Sequence, residues 1–188
     1  MPGLLKRFAK CKRGTAMVEF AFITPVLLLL IFGTFEFGSY ILLNQKLRHA
    51  AMTMADLTAR EETLTEAQLN GLFASVQNIV NPFPFGPRGT VIISAVSANT
   101  DNAPLVFWQR TGAGTLAAAS RIGAEGGNAT LPAGFTVLEG ETIIAAEIYY
   151  DYDAWFLTDI LPTEPMYETA YFRPRLGLLQ ALEAESGG

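Results

Sequence analysis

The fold is set by Arg13-Gly14-Thr15-Ala16-Met17-Val18-Glu19-Phe20, a short stretch that opens an apolar run reaching to about Leu43. Residues 20–35 and 37–43 contain no charged side chain, and only Glu36 separates the two segments. About 20 apolar residues in a helix are enough to cross the hydrocarbon core of a bilayer. The sequence therefore predicts one transmembrane helix at this place.

The charges in front of this run predict its orientation. No acidic residue occurs among the first 18 residues, whereas five basic residues precede the run: Lys6, Arg7, Lys10, Lys12 and Arg13. Positively charged segments beside a transmembrane helix remain in the cytoplasm. We therefore expect a cytoplasmic N-terminus and a periplasmic location for everything after the helix.

The small residue and the acidic residue near the start of the run predict processing. A secretory signal carries its small residues after the apolar region, but residues 40–46 lack them, and Gly14 stands before the run instead. A carboxylate such as Glu19 costs about 2.5–3.5 kcal/mol at the centre of a membrane helix, and less near the interface. A cut after Gly14 would create an α-amine on Thr15, which titrates near about pH 8. In a bundle of parallel helices, that amine could pair with the Glu19 carboxylate of a neighbour.

A basic leader, a glycine at the cut, a glutamate at position five of the product and a long apolar helix together resemble the class III processing signal of type IV pilins and pseudopilins. The segments 17–29 and 33–38 are similar to the TadE-like pseudopilins of the tight-adherence (Tad, or Flp) pilus system. This resemblance covers roughly residues 13–38. It implies a pilin-like N-terminal helix and a role in assembling a thin adhesive pilus.

The resemblance also implies a location and partners. A prepilin peptidase would remove residues 1–14 at the bacterial inner membrane, and the product would be a minor component of the pilus system. Its partners would be that peptidase, other pseudopilins, the major pilin, the inner-membrane assembly platform and the lipid bilayer. The pilus itself is a second possible location. Pairing of Glu19 with a neighbour's Thr15 amine would bring subunits together in register.

Four residues within the run are possible helix-interface positions: Pro25, Gly33, Glu36 and Gly38. Proline bends an ordinary helix, and here the bend is either merely tolerated or used in assembly. Small residues such as the two glycines allow membrane helices to approach closely. Glu36 lies 17 residues beyond Glu19, about 25 Å along the axis, near the periplasmic interface. We expect its side chain either to extend to water or to contact another subunit.

The remaining sequence predicts an α+β domain with an antiparallel sheet of about four strands. The first helix continues to about Arg60 as a stalk, and a capping box at Thr65–Gln68 starts a second helix that ends near Asn81-Pro82. Residues 82–87 should form a turn or an extended linker. Strand patterns occur at 91–97, 105–110, 142–152 and 166–172, with a hairpin turn at 99–102 and a long loop at 111–135 that includes a short helix at 116–122. The expected organisation is therefore a leader (1–14), a transmembrane and stalk helix (15–60) and a periplasmic domain (61–188).

Composition argues against an enzyme, a cofactor or a bound metal. Cys11 and His49 are the single cysteine and the single histidine, which rules out a typical zinc site or a nucleophile–histidine–acid set. Three aspartates near the strand ending at residue 152 lack the glycine and the distal glutamate of a calcium loop. Removing the five basic leader residues changes the net side-chain charge from −5 to −10, so nucleic acid is not an expected partner.

A second interpretation is an uncleaved, single-pass, membrane-anchored periplasmic protein that binds a ligand or a partner. It accounts for the topology and for the acidic domain, but it gives no reason for Gly14 or Glu19. It predicts that the N-terminus remains intact.

Overall fold

The computed structural model describes residues 14–98 and 103–175, together with residues 179 and 182. Its first element, helix α1, runs without interruption from Thr15 to Arg60 and passes through Pro25. Helix α2 (Glu66–Val80) follows, and a single turn of helix, α3 (Phe85–Arg88), leads into the sheet. Residues 1–13 of the predicted leader and the predicted hairpin turn at 99–102 lie outside the described residues.

Helix α2 begins at the predicted capping box. The Thr65 hydroxyl accepts a hydrogen bond from the Gln68 backbone N–H, while the Gln68 side chain accepts one from the Thr65 backbone N–H. The prediction of a turn or extended linker over 82–87 is wrong for its last residues. The Gln77 side chain accepts from the Phe85 N–H and donates to the Phe83 carbonyl, which folds the segment back into α3.

The four strands form one antiparallel sheet, so the predicted α+β fold is confirmed. They are β1 (Gly89–Ala98), β2 (Pro104–Gly112), β3 (Thr142–Tyr150) and β4 (Met166–Phe172), in the order β2-β1-β3-β4. Every residue of β1 and β3 is buried, because these two strands lie at the centre of the sheet. Strand β3 ends at Tyr150, two residues before the predicted end, where the chain leaves the sheet toward α1.

Both faces of the sheet are covered. Alternate residues of β1 and β3 pack against α1 and α2 on one face, and the opposite residues pack against the loop that joins β2 to β3. The predicted short helix at 116–122 is absent. The Ser120 hydroxyl accepts from the Ile122 N–H, and the Arg121 N–H is bound to the Glu147 carboxylate, so these groups are not available for helix hydrogen bonds.

Helix α1 has two different halves. From residue 43 onward one stripe of side chains is buried in the core of the sheet domain: Leu43, Leu47, Ala50, Ala51, Met54, Ala55, Thr58 and Ala59. Between residues 15 and 42, Glu36 alone is buried. We call residues 15–42 the projecting half and residues 43–60 the packed half.

Candidate functional site

The projecting half presents a long apolar surface. Its most apolar 18-residue window has a mean hydropathy of 2.2, and none of that window is buried inside the protein. At 1.5 Å per residue, its 28 residues extend about 42 Å, more than the hydrocarbon thickness of about 30 Å. By length and composition, this segment can cross a bilayer once.

The predicted processing residues lie together at the N-terminal end of α1. Gly14 immediately precedes the first helical residue, Thr15, and Glu19 follows just over one turn later with an exposed side chain. The N-terminus of a helix carries a partial positive charge, which favours a nearby carboxylate. Pairing of Glu19 with a neighbouring subunit involves a second molecule and stays a prediction.

The two glycines of the projecting half make no close packing contact within the described residues. A Cβ atom built on Gly33 or Gly38 would meet nothing within 4 Å, whereas one built on Gly112 of the sheet would lie 2.3 Å from the Phe73 ring. Glycine lowers helix stability by about 1 kcal/mol relative to alanine. The packing of this chain therefore gives no reason for Gly33 and Gly38.

Three hydroxyl groups of the projecting half are satisfied by the helix itself. Thr24, Thr34 and Ser39 each donate to the backbone carbonyl four residues earlier, with O···O distances of 2.6, 2.7 and 3.0 Å. A polar group without a partner is costly in hydrocarbon. These side chains are therefore compatible with a lipid environment.

Glu36 lies in a different environment from the one predicted. Its side chain is only 4% exposed, and its carboxylate accepts hydrogen bonds from three successive backbone N–H groups: Trp155, Phe156 at 2.8 Å and Leu157 at 2.9 Å. The prediction that Glu36 extends to water is wrong, because the chain after β3 folds over the helix and encloses the carboxylate. A contact with another subunit stays untested.

The segment that binds Glu36, residues 151–161, is here called the junction loop. Its Phe156 ring stacks on Phe32 with centroids 4.9 Å apart, and Tyr152 meets Tyr40 edge to face at 5.3 Å. Between this loop and α1 lies an apolar groove of about 740 Å³. The groove is the junction between the projecting helix and the sheet domain.

Charges occur at the rim of the groove. The Arg88 guanidinium lies 2.6 Å from the Asp153 carboxylate, and this hydrogen bond raises the pKa of Arg88 while its burial opposes the rise. Burial raises the pKa of the Tyr152 hydroxyl, and the nearby Glu36 carboxylate adds to the rise. Among the described residues, no group of three or more histidine, cysteine, aspartate or glutamate side chains is placed to hold a metal ion.

The sequence interpretation missed a second buried carboxylate, Glu147 of β3. It accepts from the Ser120 hydroxyl, the Arg121 N–H at 2.9 Å and the hydroxyls of Tyr149 and Tyr167 at 3.2 and 3.0 Å. Burial first, and the Glu147 charge second, raise the pKa of Tyr149 to about 12. This network binds the β2–β3 loop to the sheet, and a single acidic residue within an otherwise apolar central strand was the signal for it.

A long N-terminal helix with an exposed apolar half, joined to a four-stranded antiparallel sheet, defines an α+β protein. The family model described as TadE-like protein matches residues 14–56, which confirms the resemblance predicted from residues 13–38. The match begins at Gly14 and covers the whole projecting half and most of the packed half, and it associates the chain with the Tad pilus system. No curated protein and no solved structure matches the chain significantly.

Proposed function

We propose that the protein is a minor pseudopilin that takes part in the assembly of a Tad/Flp adhesive pilus. The observation that carries this proposal is the projecting half of α1. Residues 15–35 contain no buried side chain, although nearly all of them are apolar, and they fall inside the TadE-like match. A surface of this kind is suited first to lipid and then to the helices of neighbouring subunits.

In the proposed arrangement, α1 crosses the inner membrane once with its N-terminus in the cytoplasm and the sheet domain in the periplasm. Five basic residues and no acidic residue precede Gly14. This distribution of charge favours a cytoplasmic N-terminus. The Gly14–Thr15 bond then lies at the cytoplasmic edge of the membrane, where the prepilin peptidase cuts. A cut at this bond would leave the whole of α1, which begins at Thr15, in the product.

Glu19 gains a function after the cut. An unpaired carboxylate within a membrane helix is costly, and the new Thr15 amine of a neighbour supplies a positive charge at the same depth. The net stability from a buried ion pair is small, but such pairs are well suited to fix the register of packed helices. Glu19 would thus set the axial position at which a subunit joins the bundle.

Gly33 and Gly38 would act in the same step. As a subunit leaves the lipid, its apolar surface exchanges acyl chains for neighbouring helices, and small residues permit close contacts between helix backbones. The absence of a packing contact for these two glycines among the described residues supports a role in a contact between chains. The expected neighbours are other pseudopilins, the major pilin and the assembly platform.

The test is Glu19→Gln, which removes the charge and keeps the size of the side chain. We expect normal cleavage after Gly14 but a loss of surface pili. Glu62→Gln is the matched control, because Glu62 is an exposed acidic residue outside the membrane span, and it should leave pili unchanged. Normal piliation in the Glu19→Gln strain would contradict the pairing role.

The junction groove favours a second candidate function. An uncleaved, membrane-anchored periplasmic protein could bind an apolar ligand in this groove of about 740 Å³. That candidate assigns no role to Gly14 or Glu19, and it predicts a mature chain that still carries residues 1–14.

A further inference from the structure

The junction loop exposes large apolar side chains beside the projecting helix. Trp155 is 83% exposed, Phe156 60% and Ile160 68%. All three lie on the side of the domain from which the helix projects, since the loop follows the β3 end at Tyr150. Their apolar surface is continuous with that of the helix, because Phe156 stacks directly on Phe32.

The position of Phe32 along α1 shows how deep in the membrane the junction loop would lie. Phe32 lies 13 residues after Glu19, about 20 Å along the axis. A hydrocarbon core of about 30 Å that starts beside Glu19 ends about 20 residues later, near Ser39. Phe32 is then about 10 Å inside the far boundary of the hydrocarbon. The Phe156 ring, in contact with Phe32, reaches the same depth.

We propose that the junction loop is a membrane-inserted element whose partner is the phospholipid of the leaflet facing the sheet domain. Phe156 contacts acyl chains about 10 Å inside the boundary of the hydrocarbon, Trp155 and Ile160 contact acyl chains nearer to the boundary, and the loop backbone that binds Glu36 lies just inside it. Tryptophan is enriched at this depth, where an amphipathic ring meets both apolar and polar surroundings. The inference rests on the anchoring of α1 in a membrane and on no other part of the proposed function.

Several backbone N–H groups of the junction loop find their hydrogen-bond partners within the protein. An irregular segment in contact with lipid must satisfy its backbone N–H groups within the protein. The Trp155, Phe156 and Leu157 N–H groups bind Glu36, and those of Ile160 and Leu161 bind the Leu157 carbonyl. These five N–H groups therefore need no water molecule as a partner, as contact with lipid requires.

The same three hydrogen bonds also stabilise the charge of the Glu36 carboxylate. A carboxylate this close to the hydrocarbon is costly unless its charge is compensated, and three N–H donors compensate it. Glu36 is therefore a positioning residue that holds the loop at its depth. The loop and the helix together fix how the sheet domain stands on the membrane, with the Gly89 and Tyr150 strand ends nearest to it.

The experiment places single nitroxide labels on the full chain in a Cys11→Ser background, reconstituted at a low protein-to-lipid ratio into vesicles of phosphatidylcholine and phosphatidylglycerol. The labelled variant is Ile160→Cys. The matched control is Leu138→Cys, which is 57% exposed at the opposite end of the sheet, where Ala98 bridges to Glu139. A third variant, Leu29→Cys, labels the projecting half of α1. Power saturation compares collisions with oxygen, which concentrates in lipid, and with a water-soluble nickel complex.

We expect the Ile160 label to collide more with oxygen than with nickel, as the Leu29 label does, and the Leu138 label to show the reverse. An Ile160 label that behaves like Leu138, with Leu29 still in lipid, would overturn the inference while the anchoring of α1 stands. Low collision rates with both reagents at Ile160 would also overturn it, since they indicate a protein partner. A Leu29 label in water would instead refute the anchoring itself, and the inference with it.

Discussion

The two halves of helix α1 are both apolar, yet only one of them is packed against its own chain. The packed half buries a stripe that recurs every three or four residues, from Leu43 to Ala59. The projecting half is apolar on every side and buries Glu36 alone. One continuous helix therefore serves two environments, and the pattern of apolar residues, rather than their number, separates them.

The sizes of the side chains support this division. The packed half uses alanine at four buried positions, which lets the helix lie close to the sheet: Ala50, Ala51, Ala55 and Ala59. The large apolar side chains of the projecting half are mainly leucine, isoleucine and phenylalanine, and they are exposed. Large apolar groups all around a helix indicate a surface that lipid or other helices cover. The comparison predicts that equivalent substitutions in the two halves have different effects.

The largest difference is expected between Leu47→Ala and Leu29→Ala. Leu47 is fully buried, and its truncation should lower the free energy of unfolding of the sheet domain by about 2–5 kcal/mol. Leu29 is 69% exposed, so its truncation should leave that stability nearly unchanged. Denaturant unfolding of the full chain in detergent, followed by Trp108 fluorescence in a Trp155→Phe background, measures both. Equal losses from the two variants would show that the halves do not differ in packing.

The next effect concerns Glu36, the one buried side chain of the projecting half. Glu36→Gln removes the charge that three N–H groups share and should weaken the docking of the junction loop by about 1–3 kcal/mol. Hydrogen exchange of the Trp155, Phe156 and Leu157 amides would report this as faster exchange. Glu62→Gln, the exposed control, should not change it. Unaltered exchange in Glu36→Gln would remove Glu36 from its positioning role.

A smaller effect is expected at high pH, where the sheet domain, which contains Tyr149, should lose stability while the projecting half does not. Folding raises the pKa of Tyr149 from 10.0 to about 12, so the folded chain keeps this proton where the unfolded chain has lost it. The stabilisation is therefore complete below pH 10 and is lost as the pH rises through 12. Domain unfolding should become easier over this range, while the helicity of the projecting half persists. Circular dichroism, which follows the helix, and Trp108 fluorescence in the same Trp155→Phe background, which follows the domain, test this. Tyr149→Phe should reduce the pH dependence.

The smallest effect on the isolated chain is expected for the glycines. Gly33→Ala and Gly38→Ala should raise helix stability by at most about 1 kcal/mol, because an added Cβ meets no atom within 4 Å. The same change at Gly71 of α2, where the space is equally open, is the control. If the glycines form contacts between subunits, the first two variants should reduce piliation and Gly71→Ala should not. Normal pili in all three would exclude these glycines from the interface.

Much of the fold could be predicted because its signals are local. The apolar run, the capping box at Thr65 and the strand patterns depend on neighbouring residues, and β4 has the predicted bounds of 166 to 172. Two of the failed predictions depend on distant partners. Glu36 binds groups that lie 119 to 121 residues away, and Glu147 binds the Arg121 N–H, which prevents the helix expected at 116–122. No local pattern specifies such contacts.

The candidate site also contains a part that could be predicted from local spacing and a part that depends on distant contacts. The prediction for Gly14, Thr15 and Glu19 depends on spacing along one helix. The structure places these residues at the start of α1, and their roles in processing and pairing stay predictions. The junction loop was not predicted, since its role depends on how β3 delivers the chain back to the helix. A lone acidic residue in an apolar segment, as at positions 36 and 147, was the available signal in both cases.

The most direct test of the central claim is the N-terminal sequence and intact mass of the protein from the membrane fraction, with and without the prepilin peptidase. Our account predicts a chain that begins Thr15-Ala16-Met17 when the peptidase is present and keeps residues 1–14 when it is absent. A chain that retains residues 1–14 in both strains would contradict the pseudopilin assignment and favour the uncleaved anchored protein.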